Sequence, residues 1–343
     1  MKTVRIFLGA LALGALAVSC GEEGPTAPEV GAWTFYDSPY EGALTHCAVQ
    51  RDGTFWATVQ LEASRRTAIV SYDGEAWSKQ EFEPSVTEAL EALLMFDDGS
   101  GWAGGSNGAL LEHREGEWKL HRPFNNLHYY YLGAASPDRV WAIGQGPVYP
   151  RGYEPVILYY EGGQWREADK PAGYASFGPV VVTSGGGYLV GRNDTGDKVL
   201  RLSGTTWGSP LTFDRALRFF DVAACGGYAF AVGEERPSAT ERGAVYQLAP
   251  GGVRDITPGT PSPDDYSYRA AYVTPEGHLW VAAAPYASGG QNYKILYWDG
   301  EAWTEAAVVN DTGTATRAFD LGFCGGGGGW AVGGEIYGRN PAR

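Results

Sequence analysis

Short apolar runs alternate with turn-forming residues along nearly the whole chain, a pattern that predicts β-strands joined by tight turns. The first clear unit places strands near Leu44 to Gln50, Phe55 to Val59 and Ala68 to Tyr72, and opens a fourth at Trp77. Arg51-Asp52-Gly53 separates the first two strands and Asp73-Gly74 the last two. Asp-Gly favours a hairpin because both residues tolerate positive φ.

Two anchor series recur in step. One is a residue following a Gly-containing turn: Trp33, Trp77, Trp118, Trp165, Trp207, Val253 and Trp303, at intervals of 44, 41, 47, 42, 46 and 50 residues. Five places before six of these anchors stand Tyr72, His113, Tyr160, Leu202, Leu248 and Trp298. The second series is Trp56, Trp102, Trp141, Leu189, Phe230, Trp280 and Trp330. Four antiparallel strands at a period in the forties form the blade of a β-propeller. The expected fold is therefore all-β: a seven-bladed β-propeller of four-stranded antiparallel blades spanning residues 31–343. The regular period assigns the anchor tryptophans to packing rather than to ligand binding.

The chain ends complement each other. The last repeat has strands near Ala318–Cys324, Gly329–Gly333 and Glu335–Arg339 and no fourth, whereas Ala32–Tyr36 reads as a fourth strand without the preceding three. The N-terminal strand is thus expected to complete the last blade and close the ring.

The segment GWAGGSNGALLEHREGEW, with Gly104-Gly105, His113 and Trp118, resembles a kelch-type repeat, and Trp330-Ala331-Val332-Gly333-Gly334 repeats its opening. That resemblance implies a fold, not an activity. At the N-terminus, Lys2 and Arg5 precede the apolar stretch Ile6 to Val18, which ends in Leu16-Ala17-Val18-Ser19-Cys20. This segment resembles a bacterial lipoprotein signal and lipobox. The resemblance implies cleavage after residue 19, diacylglycerol on Cys20, and anchoring to the cell membrane, or to the outer membrane in a Gram-negative host, facing the periplasm or the surface. An ordinary secretory signal is the alternative. Residues 20–30 then form the lipidated cysteine and a flexible polar linker.

Composition narrows the partners. The 343-residue chain carries 50 glycines and a formal charge of −14, which becomes two units more negative when residues 1–19 are removed with Lys2 and Arg5. An acidic protein repels phosphate backbones, so nucleic acid is not an expected partner. Cys47, Cys225 and Cys324 remain after lipidation. Their odd number favours three small buried residues over a disulfide framework, with a Cys47–Cys324 pair as the alternative.

Candidate chemistry is sparse. His46, His113, His121, His128 and His278 form no close ligand pair, and Asp194-Thr195-Gly196-Asp197 lacks full calcium-loop spacing, so no metal or cofactor is expected. No Gly-x-Ser-x-Gly or Cys-His motif occurs, and no catalytic residue is assigned. The longer connections, between blades and between second and third strands, emerge on one face and are rich in tyrosine and arginine. Tyr129, Tyr130, Tyr149, Tyr153, Arg151, Tyr266, Tyr268, Arg269 and Tyr286 are the candidate ligand-binding residues. Tyrosine offers a rigid ring plus a hydroxyl, and arginine binds carboxylates. The expected function is a monomeric, membrane-tethered binding or assembly module for a protein or glycan partner in the cell envelope. A carbohydrate-active enzyme with its site at the channel mouth is the alternative.

Overall fold

The computed structural model describes residues 33–36, 40, 42–61, 66–148, 152–235, 242–249, 251–286, 292–309, 320–323, 329–332 and 336–339. The signal segment, Cys20 and the linker lie outside them. No helix among the described residues is long and apolar enough to cross a membrane.

The chain enters on β1 (Trp33–Tyr36) and then forms blade one from β2 (Gly42–Val49), β3 (Phe55–Leu61), β4 (Thr67–Tyr72) and β5 (Trp77–Phe82). Blade two is β6 (Leu90–Met95), β7 (Gly101–Gly105), β8 (Leu110–Arg114) and β9 (Glu117–His121). Blade three is β10 (His128–Ser136), β11 (Arg139–Val148), β12 (Gly152–Glu161) and β13 (Gln164–Glu167). Blade four is β14 (Ser176–Thr183), β15 (Gly186–Asn193), β16 (Gly196–Ser203) and β17 (Thr206–Pro210). Blade five is β18 (Leu217–Cys225), β19 (Tyr228–Glu235), β20 (Arg242–Ala249) and β21 (Gly252–Asp255). Blade six is β22 (Tyr266–Val273), β23 (Leu279–Pro285), β24 (Tyr293–Trp298) and β25 (Trp303–Val309). The chain finishes with β26 (Asp320–Phe323), β27 (Gly329–Val332) and β28 (Ile336–Arg339).

The protein is an all-β propeller with four-stranded antiparallel blades. The expected count of seven blades is corrected to six continuous ones. Six blades are consecutive four-strand meanders, and a seventh four-stranded sheet is assembled from both ends in the order β1-β28-β27-β26. Four residues of each strand in that composite sheet are described. β1 lies outermost, with Trp33 opposite Arg339 and Tyr36 opposite Ile336. The first strands of neighbouring sheets pack side by side around the axis, and β26 meets β2 to complete the circle.

The two anchor series interlock across the seams. The turn anchors sit opposite the residue five places earlier, as in Tyr72–Trp77, His113–Trp118, Tyr160–Trp165 and Trp298–Trp303. The second-strand aromatic of one blade packs on this cross-strand pair of the next. Trp56 meets His113 and Trp118 at 5.2 and 6.4 Å, and Trp102 meets Tyr160 and Trp165 at 4.7 and 5.2 Å. Trp330 meets Phe55 at 4.8 Å and Tyr72 at 5.9 Å, while Trp280 meets Trp33 edge-on at 6.4 Å. Edge-to-face geometry brings the positive rim of one ring to the negative face of another.

The second series needs one correction, in blade four. Trp102 and Phe230 pair with Leu94 and Ala223, three residues beyond Glu91 and Phe220, where their first strands shift register. The residue opposite the matching Val181 is Tyr188, not Leu189. Tyr188 packs into the cluster holding Leu248 and Val253, as the seam rule requires. Leu189 was the apolar member of the pair, but strand alternation turns it to the other face of its sheet.

The cysteine expectation is also corrected. Cys47 is a free, buried thiol, which excludes a Cys47–Cys324 pair. Cys225 is disulfide-bonded. Spacing along a chain does not report which Cα atoms come within bridging distance.

Candidate functional site at the channel mouth

A local backbone device builds the site. In blades two, three, five and six the first strand slips by one residue against the second, between Leu90 and Ala92, Tyr129 and Tyr131, Phe219 and Asp221, and Tyr268 and Ala270. Each slip leaves one unpaired residue: Glu91, Tyr130, Phe220 and Arg269. A β-bulge re-aims the extra side chain and bends its strand. Opposite three of the bulges the second strand carries glycine three places after its anchor. A Cβ on Gly233 would lie 2.0 Å from the Arg218 carbonyl oxygen, and one on Gly144 would lie 2.3 Å from that of His128. The bent strand comes too close for any side chain there.

The bulge residues line one axial cavity of about 1220 Å³, together with His46, Tyr131, Asp221, Tyr272 and Asp320. On one wall, His128 stacks on Tyr130 with ring centroids 4.4 Å apart, and its Nε2 lies 3.7 Å from Glu91 Oε1. The His128 imidazole 3.7 Å away, aided by His46, holds the Glu91 carboxyl below its usual range despite partial burial. Tyr130 accepts a hydrogen bond from Gln145 Nε2 at 2.7 Å, and desolvation raises its phenol.

Across the mouth, the Arg269 guanidinium lies 3.9 Å from the centre of the Phe220 ring, and that of Arg218 lies 4.9 Å from it. Arg218 pairs with Glu234 at 3.7 Å. Burial lowers the pKa of Arg269 from its ordinary value.

Deeper in, two aspartates repeat one role. Asp221 Oδ2 accepts from the Ala271 N–H of the next blade at 2.9 Å, and Oδ1 accepts from its own neighbour Val222 at 2.7 Å. Asp320 Oδ2 accepts from the Cys47 N–H at 2.9 Å, and Oδ1 accepts from Leu321 at 2.9 Å. Each carboxylate thus satisfies a backbone donor on the open edge of the neighbouring inner strand, where no ladder partner exists. Desolvation, then repulsion from Asp320, pushes Asp221 up to about 8. Desolvation also raises Asp320, and His46 Nδ1 at 4.0 Å opposes that rise. The buried Cys47 thiol is pushed well above its usual value by desolvation.

The sequence-selected face divides three ways. Tyr130 and Arg269 stand at the mouth, Tyr153 projects beside it at 69% exposure, and Tyr286 is half-buried near Arg269. Tyr129 and Tyr268 are fully buried, and Tyr266 is buried with its hydroxyl donating to the Asn292 carbonyl at 3.2 Å. These three precede or flank a bulge and face the blade seams, where tyrosine serves as packing. Tyr149 and Arg151 lie outside the described residues. Glu91, Phe220, Asp221, Asp320 and His46 were missed, because they sit on first strands rather than in loops. The signal that could have found Glu91 and Phe220 is the glycine three places after the anchor, Gly105 and Gly233, which lies beside the bulge on the strand before it. Among the described residues no group of three His, Cys, Asp or Glu side chains is placed to hold a metal ion.

The chain matches no described protein family and no curated protein sequence. Solved structures do resemble it. Pyrococcus horikoshii acylaminoacyl peptidase superposes at TM-score 0.58 and 12% identity, over 87% of this chain and 51% of that one. The Neurospora crassa Pan2 WD40 domain gives TM-score 0.61 at 12% identity, over 91% of this chain and 95% of that one. The Niastella koreensis GH74 enzyme gives 0.62 at 14%, over 90% and 53% respectively. The chain therefore spans about half the length of the peptidase and of the GH74 enzyme. At such identities the likeness shows the propeller fold alone.

Proposed function

We propose that this protein is a membrane-tethered, extracytoplasmic binding module that receives a protein or glycan partner at the bulge-lined channel mouth. One observation carries the reading: separate blades deliver Glu91, Tyr130, Phe220 and Arg269 to one cavity by the same backbone bulge. Rigid strands hold these groups, so little ordering entropy opposes binding. The disulfide at Cys225 supports export, because disulfides persist in oxidising compartments. Tethering would run through Cys20 and the linker at residues 20–30.

The test is an envelope pull-down paired with a glycan array, using the wild type, Cys20→Ala, and the mouth double variant Glu91→Gln/Tyr130→Phe. Cys20→Ala should release the protein from membranes and keep partner capture. The mouth variant should stay tethered and lose capture. Equal capture by the mouth variant and the wild type would refute the proposal.

A carbohydrate-active enzyme is a second reading, favoured by the two aspartates in one cavity and by the raised pKa of Asp221, which keeps a proton near neutral pH. Fold neighbours include both the GH74 enzyme and WD40 domains. Release of reducing ends from an envelope glycan, abolished by Asp221→Asn, would support the enzyme reading. Turnover unchanged by that variant would count against it.

A further inference from the structure

The strongest unabsorbed feature is the cation at the mouth. Arg66, Arg114, Arg192, Arg215, Arg218 and Arg242 each lie within ion-pair distance of a carboxylate. Arg269 does not: among the described residues it makes no ion pair and no hydrogen bond, and its contact is the face of Phe220. The nearby Glu234 carboxylate is engaged by Arg218. A half-buried guanidinium held over a ring by its central carbon leaves its N–H fork free for a planar, bidentate acceptor. Glu234 attracts Arg269 from a distance but is shared with Arg218, so the Arg269 N–H groups keep no acceptor of their own among the described residues, a costly state for a half-buried polar group unless a ligand supplies one.

The rest of the mouth says what carries that acceptor. Glu91 and the Tyr130 hydroxyl offer hydrogen-bonding groups suited to hydroxyls, and Tyr130 and Phe220 offer rings suited to the C–H faces of sugars. The cavity, about 1220 Å³, exceeds the volume that a drug-sized ligand fills and accommodates several sugar units. We infer that the channel mouth is a subsite for an acidic oligosaccharide, with a uronate carboxylate seated on Arg269 over Phe220 and neighbouring hydroxyls held by Glu91 and Tyr130. The inference rests on the glycan arm of the proposed function and names its ligand class.

The test is calorimetric titration of the full soluble domain with a galacturonate tetramer and with its carboxylate-reduced neutral counterpart. The variants are Arg269→Gln, Arg269→Lys and Glu91→Gln. A charge-assisted bidentate contact predicts that Arg269→Gln weakens tetramer binding about 10- to 100-fold. Arg269→Lys, which keeps the charge and loses the fork, should fall between the two. Raising salt should weaken wild-type binding, and the neutral sugar should bind no better to wild type than to Arg269→Gln. Thermal melting of each variant separates site loss from unfolding. If Arg269→Gln binds the tetramer as the wild type does, the uronate assignment is overturned. If the neutral sugar or an acidic peptide binds more tightly than the tetramer, and Glu91→Gln weakens that binding, the uronate assignment falls while the mouth-binding reading stands. If no probe binds and Glu91→Gln changes nothing, both fall.

Discussion

The interlock between blades makes a quantitative prediction at the closing seam. Trp330 is 1% exposed and packs on Phe55 at 4.8 Å and Tyr72 at 5.9 Å, both on blade one. Phe55 also meets Trp77 edge-on at 6.0 Å. Phe55→Leu keeps most of the apolar volume and removes two ring pairs, so it should cost about 1–3 kcal/mol at ~0.5–1.5 per pair. Trp330→Leu removes a fully buried indole from the seam and should cost about 3 kcal/mol, the low end for truncating a buried tryptophan. The shared ring pair should then appear as a coupling of about 0.5–1.5 kcal/mol in a double-mutant cycle. The assay is urea unfolding of the wild type, both single variants and the double variant, followed by circular dichroism. Trp102→Leu with Trp330→Leu is the control, because these residues lie on different seams and should add. Additivity of Phe55→Leu and Trp330→Leu within about 0.5 kcal/mol would refute the claim that the anchors act by stacking across blades.

Other outcomes follow from single features. The folded-state pKa of Asp221, about 8, lies above its unfolded value near 4, so the native ring binds an extra proton between them. Its contribution to stability is therefore greatest below about pH 4 and is lost as pH rises toward 8. Asp320 acts in the same direction. Melting temperature should fall across that window, and Asp221→Asn should flatten the fall; an unchanged slope would show that Asp221 is not the group responsible. Gly233→Ala should destabilise by about 1–3 kcal/mol through backbone overpacking, whereas Gly208→Ala, with its nearest atom at 3.6 Å, should be near neutral in the same urea assay. Cys47 should resist a thiol reagent at neutral pH in the native state and react on unfolding, since its thiol is buried and raised in pKa; native labelling that disappears in Cys47→Ser would contradict this. Deleting residues 33–36 should lower the melting temperature by uncovering Trp280 and Phe323 beside Trp33, and an unchanged melt would sink the role of β1 in the ring.

The hairpins were legible because their chemistry is local. Asp73 Oδ1 accepts from the N–H groups of Glu75 and Ala76, and Asp299 repeats this with Glu301 and Ala302, so the Asp-Gly turn closes itself wherever it occurs. The period and the four-strand unit follow from such turns and from aromatic spacing. Blade four shows the limit of that reading. Tyr188 and Leu189 are both apolar enough to be the anchor, and only their cross-strand partners decide which one faces the seam.

The mouth was barely legible. Arg269 and Tyr130 were selected as loop residues, yet each owes its position to a bulge within a first strand. Sequence alone thus determined the strands, the turns and the repeated anchors, because these depend on side chains a few residues apart. Only the tertiary structure decided which residues meet on the axis, that Arg269 lies over Phe220 about fifty residues away, and that Asp320 binds the Cys47 N–H across the closing seam. Those contacts depend on the small bend that each bulge puts into its strand. A bend of that kind leaves a trace in the sequence, a glycine on the neighbouring strand, but ring geometry alone determines what it brings together.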